Sequence, residues 1–237
     1  HLPGSTRFYG GRAQLEEGLR VLLGGLSRVA MEYSPGNAIP YVARVDAGTV
    51  ELVRQCGVDV TSSGDLIQRF SAVWDDEAID SHLRASAALY RIKDQAFDTI
   101  ARRLRDGVAT SEFDVQQLMV GWFREEGLVS DSEPNVSAQE NAGNPHYLPT
   151  AQRSRQIGPD EVVLLDLWGK LNRPRAVYAD ITWVGYSGRA VPPRLAEAFA
   201  AVMAARDAAI DLIRSRVTAG REVCGWEVDR AAATVLR

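Results

Sequence analysis

Two aspartates sit where aspartates are costly. Asp166 lies inside the apolar run Val162-Val163-Leu164-Leu165-Asp166-Leu167-Trp168-Gly169, and Asp180 inside Val177-Tyr178-Ala179-Asp180-Ile181-Thr182-Trp183. A carboxylate buried in such a strand is destabilising unless something pairs with it. The two are fourteen residues apart, and Lys170-Leu171-Asn172-Arg173-Pro174-Arg175 between them reads as a hairpin turn. Neighbouring antiparallel strands would each present one Asp, and both could face the same side. Two convergent carboxylates repel and call for a cation. Hard divalent metals bound through oxygen meet that need, and two metals about 3.5–4 Å apart require bridging carboxylates. The same pattern also fits two structural aspartates at strand ends, one of them in an ion pair with Arg173 or Arg175. These two residues alone do not choose between the readings.

His146 is the third candidate. The chain has three histidines, His1, His82 and His146. His146 follows Pro145, which restricts Asn144 to extended conformations. Asn141, Gly143 and Asn144 around it suggest a tight loop that exposes backbone. Taken alone, His146 reads as a structural loop histidine. His82 falls on a long helix and reads as a surface or packing residue.

The elements that must position these residues are legible around them. Leu and Val recur with helical spacing in Gln14–Leu23. Arg28–Tyr33 reads as a strand ended by Ser34-Pro35-Gly36-Asn37. Asp46–Cys56 reads as a helix capped by Asp46 and stopped by Gly57. Val58-Asp59-Val60 then reads as a strand, and Ser62-Ser63-Gly64-Asp65 opens a short helix. This alternation predicts a small α/β unit with a parallel sheet. The texture changes near Trp74, where a boundary is expected. Asp75–Leu104 is helical, with Ala78, Leu83, Ala87, Leu89, Ile92, Ala96 and Ile100 as its apolar face. Ser111–Glu126 is a second helix, and Ser111 with Asp114 resembles a capping box. Strands are expected at Pro134–Ala138, Glu161–Trp168 and Val177–Gly185, with a loop over Ala142–Pro149. After Pro192-Pro193 comes a helix over Arg194–Arg216, whose alanine-rich face could lie close on a sheet. A last amphipathic segment begins near Glu222 and still reads as helical, without a cap, at Arg237.

Composition narrows the classes. The chain has 237 residues, 46% hydrophobic and 24% charged, with net charge −4. That is ordinary for a globular protein with a substantial core. An acidic balance without a basic block does not favour nucleic acid or an anionic membrane. No apolar run approaches the ~20 residues that span a bilayer. Cys56 and Cys224 fit neither a zinc knuckle nor a disulfide framework and read as reduced thiols in a cytoplasmic protein. The start, His1-Leu2-Pro3-Gly4-Ser5, has no initiator Met and no signal pattern, and reads as a chain entered in mid-sequence.

The order of these features resembles a known family. Asn-Pro-His-Tyr at 144–147 follows a polar Gly/Asn loop. Leu-Leu-Asp-Leu-Trp-Gly at 164–169 and Tyr-Ala-Asp-Ile-Thr-Trp at 178–183 come next, then a long helix and Gly-Arg-Glu-Val at 220–223. Together they resemble the first half of the pita-bread catalytic domain of the Xaa-Pro aminopeptidase, prolidase and creatinase superfamily. The resemblance implies an α/β (α+β) fold. Residues 1–72 would be the C-terminal part of a creatinase-like N-terminal domain, and 73–237 the N-terminal part of the metallopeptidase domain. The implied activity is a metal-dependent aminopeptidase or dipeptidase that cleaves Xaa-Pro bonds with a metal-bridged water. Asp166 then chelates one metal, Asp180 bridges both, and His146 contacts substrate and assists proton transfer. The implied cofactor is two divalent ions, manganese, cobalt or zinc. The implied partner is a peptide or small-molecule substrate, and relatives with such an N-terminal domain are often homodimers. The same fold also hosts creatinase-like C–N hydrolases and metal-free binding proteins, and a plain α/β interaction domain without a site is a further reading.

The sequence departs from the family pattern at two places. The stretch between the two Asp is a few residues longer, through Arg173-Pro174-Arg175, an insertion that a hairpin tip tolerates. The family's later ligands, a His in a Gly-His-Gly-type strand and two Glu, have no counterpart. No histidine follows His146, and Glu197, Glu222 and Glu227 fall in helical segments. The expectation is therefore two of five ligands and an active site this chain does not complete, so that the 237-residue chain by itself is inactive.

Overall fold

The computed structural model describes residues 4–237. His1 lies outside the described residues. The chain divides into two compact units, His1–Glu77 and Ala78–Arg237; the sequence placed the boundary after residue 72.

The first unit is an α/β arrangement. It contains α1 (Arg12–Leu23), β1 (Arg28–Met31), α2 (Ala47–Gln55), β2 (Asp59–Ser62) and α3 (Gly64–Ser71). β1 and β2 pair in parallel, from Arg28 opposite Asp59 to Met31 opposite Ser62. Asp46 caps α2 as its sequence position suggests: its Oδ1 accepts from the Thr49 N–H at 2.9 Å. Gly57, at φ +84°, supplies the left-handed turn that takes the chain out of α2. Val50 and Val53 on α2 are buried, with Val58 beyond it.

The second unit holds the aspartates. Two helices, α4 (Asp76–Arg105) and α5 (Glu112–Glu125), precede β3 (Leu128–Val129), β4 (Asn135–Ala138), β5 (Val162–Leu171) and β6 (Ala179–Tyr186). The chain then forms α6 (Pro193–Thr218) and α7 (Gly225–Val235). β5 is the hub of the sheet and pairs antiparallel with β3, β4 and β6. Burial alternates along it: Val163, Leu165, Leu167 and Gly169 are buried, and the residues between them are half-exposed. This is the period of two that turns one sheet face to a core. The core joins that face to α4 and α5 through Leu89, Ile92, Ala96, Val115, Met119 and Phe123. Each of the larger side chains, fully buried, contributes roughly 1.5–3 kcal/mol.

Glycines let the helices close on the sheet. A Cβ at Gly185 on β6 would come within 2.6 Å of the Phe97 ring on α4, and one at Gly169 on β5 within 3.0 Å of the Phe123 ring on α5. The expected capping box on α5 is present. Ser111 Oγ accepts from the Asp114 N–H at 3.1 Å, and Asp114 Oδ2 accepts from the Ser111 N–H at 2.8 Å.

Several local expectations are corrected. β3 was not foreseen, being two residues long. Lys170 and Leu171 belong to β5 rather than to the turn. Leu83 and Ala87, counted to the apolar face of α4, are exposed, and Ala85 and Ala88 are buried in that stretch instead. The alanine-rich α6 buries Ala205 and packs chiefly against α7 rather than on a sheet. α7 ends at Val235, with Leu236 as its C-cap.

Candidate metal centre

The register of β5 and β6 decides where the two aspartates point. Asp166 is opposite Thr182, and Trp168 is opposite Asp180. Alternation puts residues two apart on the same face. Asp166 and Asp180 therefore share the face turned away from the α4–α5 core, as diagonal neighbours about 7–8 Å apart by the usual spacing of such pairs. Asn135 of β4 flanks Asp166 on its other side. Asp180 is exposed and Asp166 half-buried.

Hydrogen bonds and charge define the surroundings. Thr182 Oγ1 donates to Asp166 Oδ1 at 2.7 Å, which holds that carboxylate in one orientation. Trp168 Nε1 donates to Asp131 Oδ1 at 2.7 Å, which ties the indole to the connection between β3 and β4. That bond holds the Asp131 carboxyl below its ordinary range. Asp180 moves the other way: partial burial pushes its carboxyl up, and the charge of Asp166 adds to the effect. Among the described residues neither aspartate has an ion-pair partner. Arg173, which the sequence offered as a structural partner, is bonded to Asp80 at 3.3 Å. The donor set fits a hard cation: two carboxylates face one side, repel, and are not neutralised by a protein cation. It is incomplete by itself, since among the described residues no group of three or more His, Cys, Asp or Glu could hold a metal.

His146 lies apart from this pair. It is exposed, in the loop after the short 3-10 turn Gln139–Gly143. Its N–H donates to Asn144 Oδ1 at 3.0 Å. It lines an open cavity of about 590 Å³ with Asn144, Gln152, Arg153 and Ser154. Among the described residues no hydrogen bond joins His146 to Asp166 or Asp180. The structure thus brings the two aspartates together and leaves the histidine on a neighbouring loop that follows β4.

Sequence reading missed Glu112. It is wholly buried and accepts bonds from the His146 loop. An acid in the first turn of a helix ordinarily reads as a solvated residue facing the helix dipole, so nothing in its spacing marked it.

The chain matches metallopeptidase family M24 over residues 85–237, well over half its length. The chain belongs to that family. Its M24 part is the part that carries β5, β6 and both aspartates. Solved structures agree on the fold. A dipeptidase from Mycobacterium ulcerans is 22% identical with a TM-score of 0.62, over 81% of this chain and 47% of that one. A dipeptidase from Pyrococcus horikoshii is 24% identical with a TM-score of 0.57, over 94% and 55%. An X-prolyl aminopeptidase from Caenorhabditis elegans, described as a cytosolic enzyme with a di-nuclear active site, is 20% identical with a TM-score of 0.53, over 66% and 25%. At such identities the likeness speaks for fold alone. It bears out the mixed α/β pita-bread architecture. The chain spans about half the length of the two dipeptidases. No curated protein matches the sequence. Among the described residues no helix is long and apolar enough to cross a membrane.

Proposed function

We propose that the intact protein is a metal-dependent aminopeptidase or dipeptidase acting on peptide bonds next to proline. One observation carries the reading: Asp166 and Asp180 share a face of the β5–β6 hairpin with one residue pair, Leu167–Ile181, between them, and no protein cation is paired to either among the described residues. Membership of a metallopeptidase family supports it. So does the di-nuclear site of the nematode X-prolyl aminopeptidase, a protein of the same fold.

On this reading Asp166 and Asp180 would be among the residues that hold two divalent ions. Oxygen donors suit manganese, cobalt or zinc. Bound there, such ions supply Lewis acidity and activate water for attack on the peptide carbonyl. Two carboxylates are fewer donors than two ions take, so further ligands come from elsewhere in the intact protein. Thr182 keeps Asp166 aimed at the site through its hydroxyl. His146 contacts the substrate and assists proton transfer near the scissile bond. Residues 1–72 belong to the N-terminal domain and 73–237 to the catalytic domain. Two free thiols, Cys56 and Cys224, suit a cytoplasmic location.

The test is hydrolysis of Xaa-Pro dipeptides and Xaa-Pro-Yaa peptides by the intact protein loaded with each metal in turn. Hydrolysis is expected, and it is expected to stop on chelation and in Asp180→Asn. Cleavage that survives both treatments overturns the reading.

A further inference from the structure

The loop that carries His146 hangs from a buried carboxylate. Glu112, the first residue of α5, is 0% exposed. It accepts hydrogen bonds from four groups on separate stretches of chain. The Ala138 N–H, at the end of β4, reaches Oε1 at 2.7 Å. Asn141 Nδ2 reaches Oε1 at 3.0 Å and Oε2 at 3.2 Å. The Arg155 N–H reaches Oε2 at 3.0 Å. The Tyr147 hydroxyl also donates to Oε2. A buried carboxylate is tolerated only when its oxygens are satisfied in this way.

Two of those donors bracket His146. The Asn144 N–H donates to Asn141 O at 3.0 Å, and the Tyr147 N–H to Asn144 O at 3.0 Å. The His146 N–H closes on Asn144 Oδ1 at 3.0 Å. An exposed histidine is therefore set between two side chains, Asn141 and Tyr147, that end on one carboxylate. Burial, reinforced by the Glu112 bond, pushes the Tyr147 hydroxyl up to about 12, so it stays a proton donor through the neutral range.

We propose that Glu112 is a positioning residue for His146, holding the imidazole at the substrate through Asn141 and Tyr147. The inference rests on the peptidase reading and on the place of His146 in it. The Glu112 carboxylate is the hub that ties the loop to the start of α5.

The test combines Glu112→Gln and Tyr147→Phe with His146→Ala in double-mutant cycles on the intact, metal-loaded protein. A misplaced imidazole is expected to lower kcat/KM by about 10- to 100-fold in either variant when His146 is present. In the His146→Ala background the same changes are expected to cost less than about twofold, because the groups act as one unit. Equal losses in both backgrounds overturn the proposal and leave Glu112 a structural anchor alone. Tyr147→Phe keeps the ring in place and decides the matter if Glu112→Gln does not fold. If the unaltered protein hydrolyses no peptide, the peptidase reading fails separately. The His146 Cε1–H resonance then decides: it is expected to shift or broaden in Tyr147→Phe, and an unmoved resonance overturns the positioning role.

Discussion

Asp166 and Asp180 stand on one face of an antiparallel hairpin, Asp166 opposite Thr182 and Asp180 opposite Trp168. One residue pair, Leu167 opposite Ile181, lies between them along the strands. Two carboxylates so placed repel one another. The Asp180 carboxyl is raised by partial burial and then by Asp166. A folded-state value above the unfolded one means that ionised Asp180 destabilises the fold at neutral pH, and that the cost is relieved as pH falls through its raised value.

Asp180→Asn is therefore expected to leave the chelator-treated protein as stable as before, or more stable by about 0.2–1 kcal/mol, the range of exposed charge pairs. Thermal unfolding in EDTA at pH 7 and again near pH 4 checks this. The gain is expected to fade at the lower pH. A lower Tm for Asp180→Asn at pH 7 would speak against repulsion at the site.

Gly185 makes the back of the same hairpin possible. A Cβ there meets the Phe97 ring at 2.6 Å. Gly185→Ala is expected to destabilise by about 1–3 kcal/mol, the usual cost of overpacking. Denaturant unfolding gives the value. Phe97→Leu frees the space, so the double variant is expected to lose less than the two single losses added together.

Tyr147 gives a pH-dependent signature. Its hydroxyl is raised from 10.0 to about 12, by burial first and Glu112 second. The bond to Glu112 therefore contributes in full below pH 10 and is lost as pH rises through about 12. Tyr147→Phe is expected to cost about 1.5–3 kcal/mol at neutral pH, the scale of a hydrogen bond to a charged group. The gap between the two proteins should stay constant through neutral pH and narrow above pH 10. A constant gap up to pH 12 would show that the hydroxyl does not serve the carboxylate.

What could be read from the chain beforehand follows the range of the forces. Asp46 and the Ser111–Asp114 box were legible because capping is settled within three residues. The shared face of Asp166 and Asp180 was legible because alternation and a short turn between strands fix register. Glu112 was not legible: its partners, Ala138, Asn141, Tyr147 and Arg155, lie 26 to 43 residues away. The apolar assignment of Leu83 and the sheet expected under α6 failed for the same reason. Periodicity marks an apolar face but does not name what covers it.

The central claim is that Asp166 and Asp180 are metal ligands. Elemental analysis of metal bound per chain, after dialysis of the intact protein and of its Asp180→Asn variant, tests it most directly. Two divalent ions are predicted for the unaltered protein, with loss of both when Asp180 is changed. The same metal content in both proteins would contradict the account.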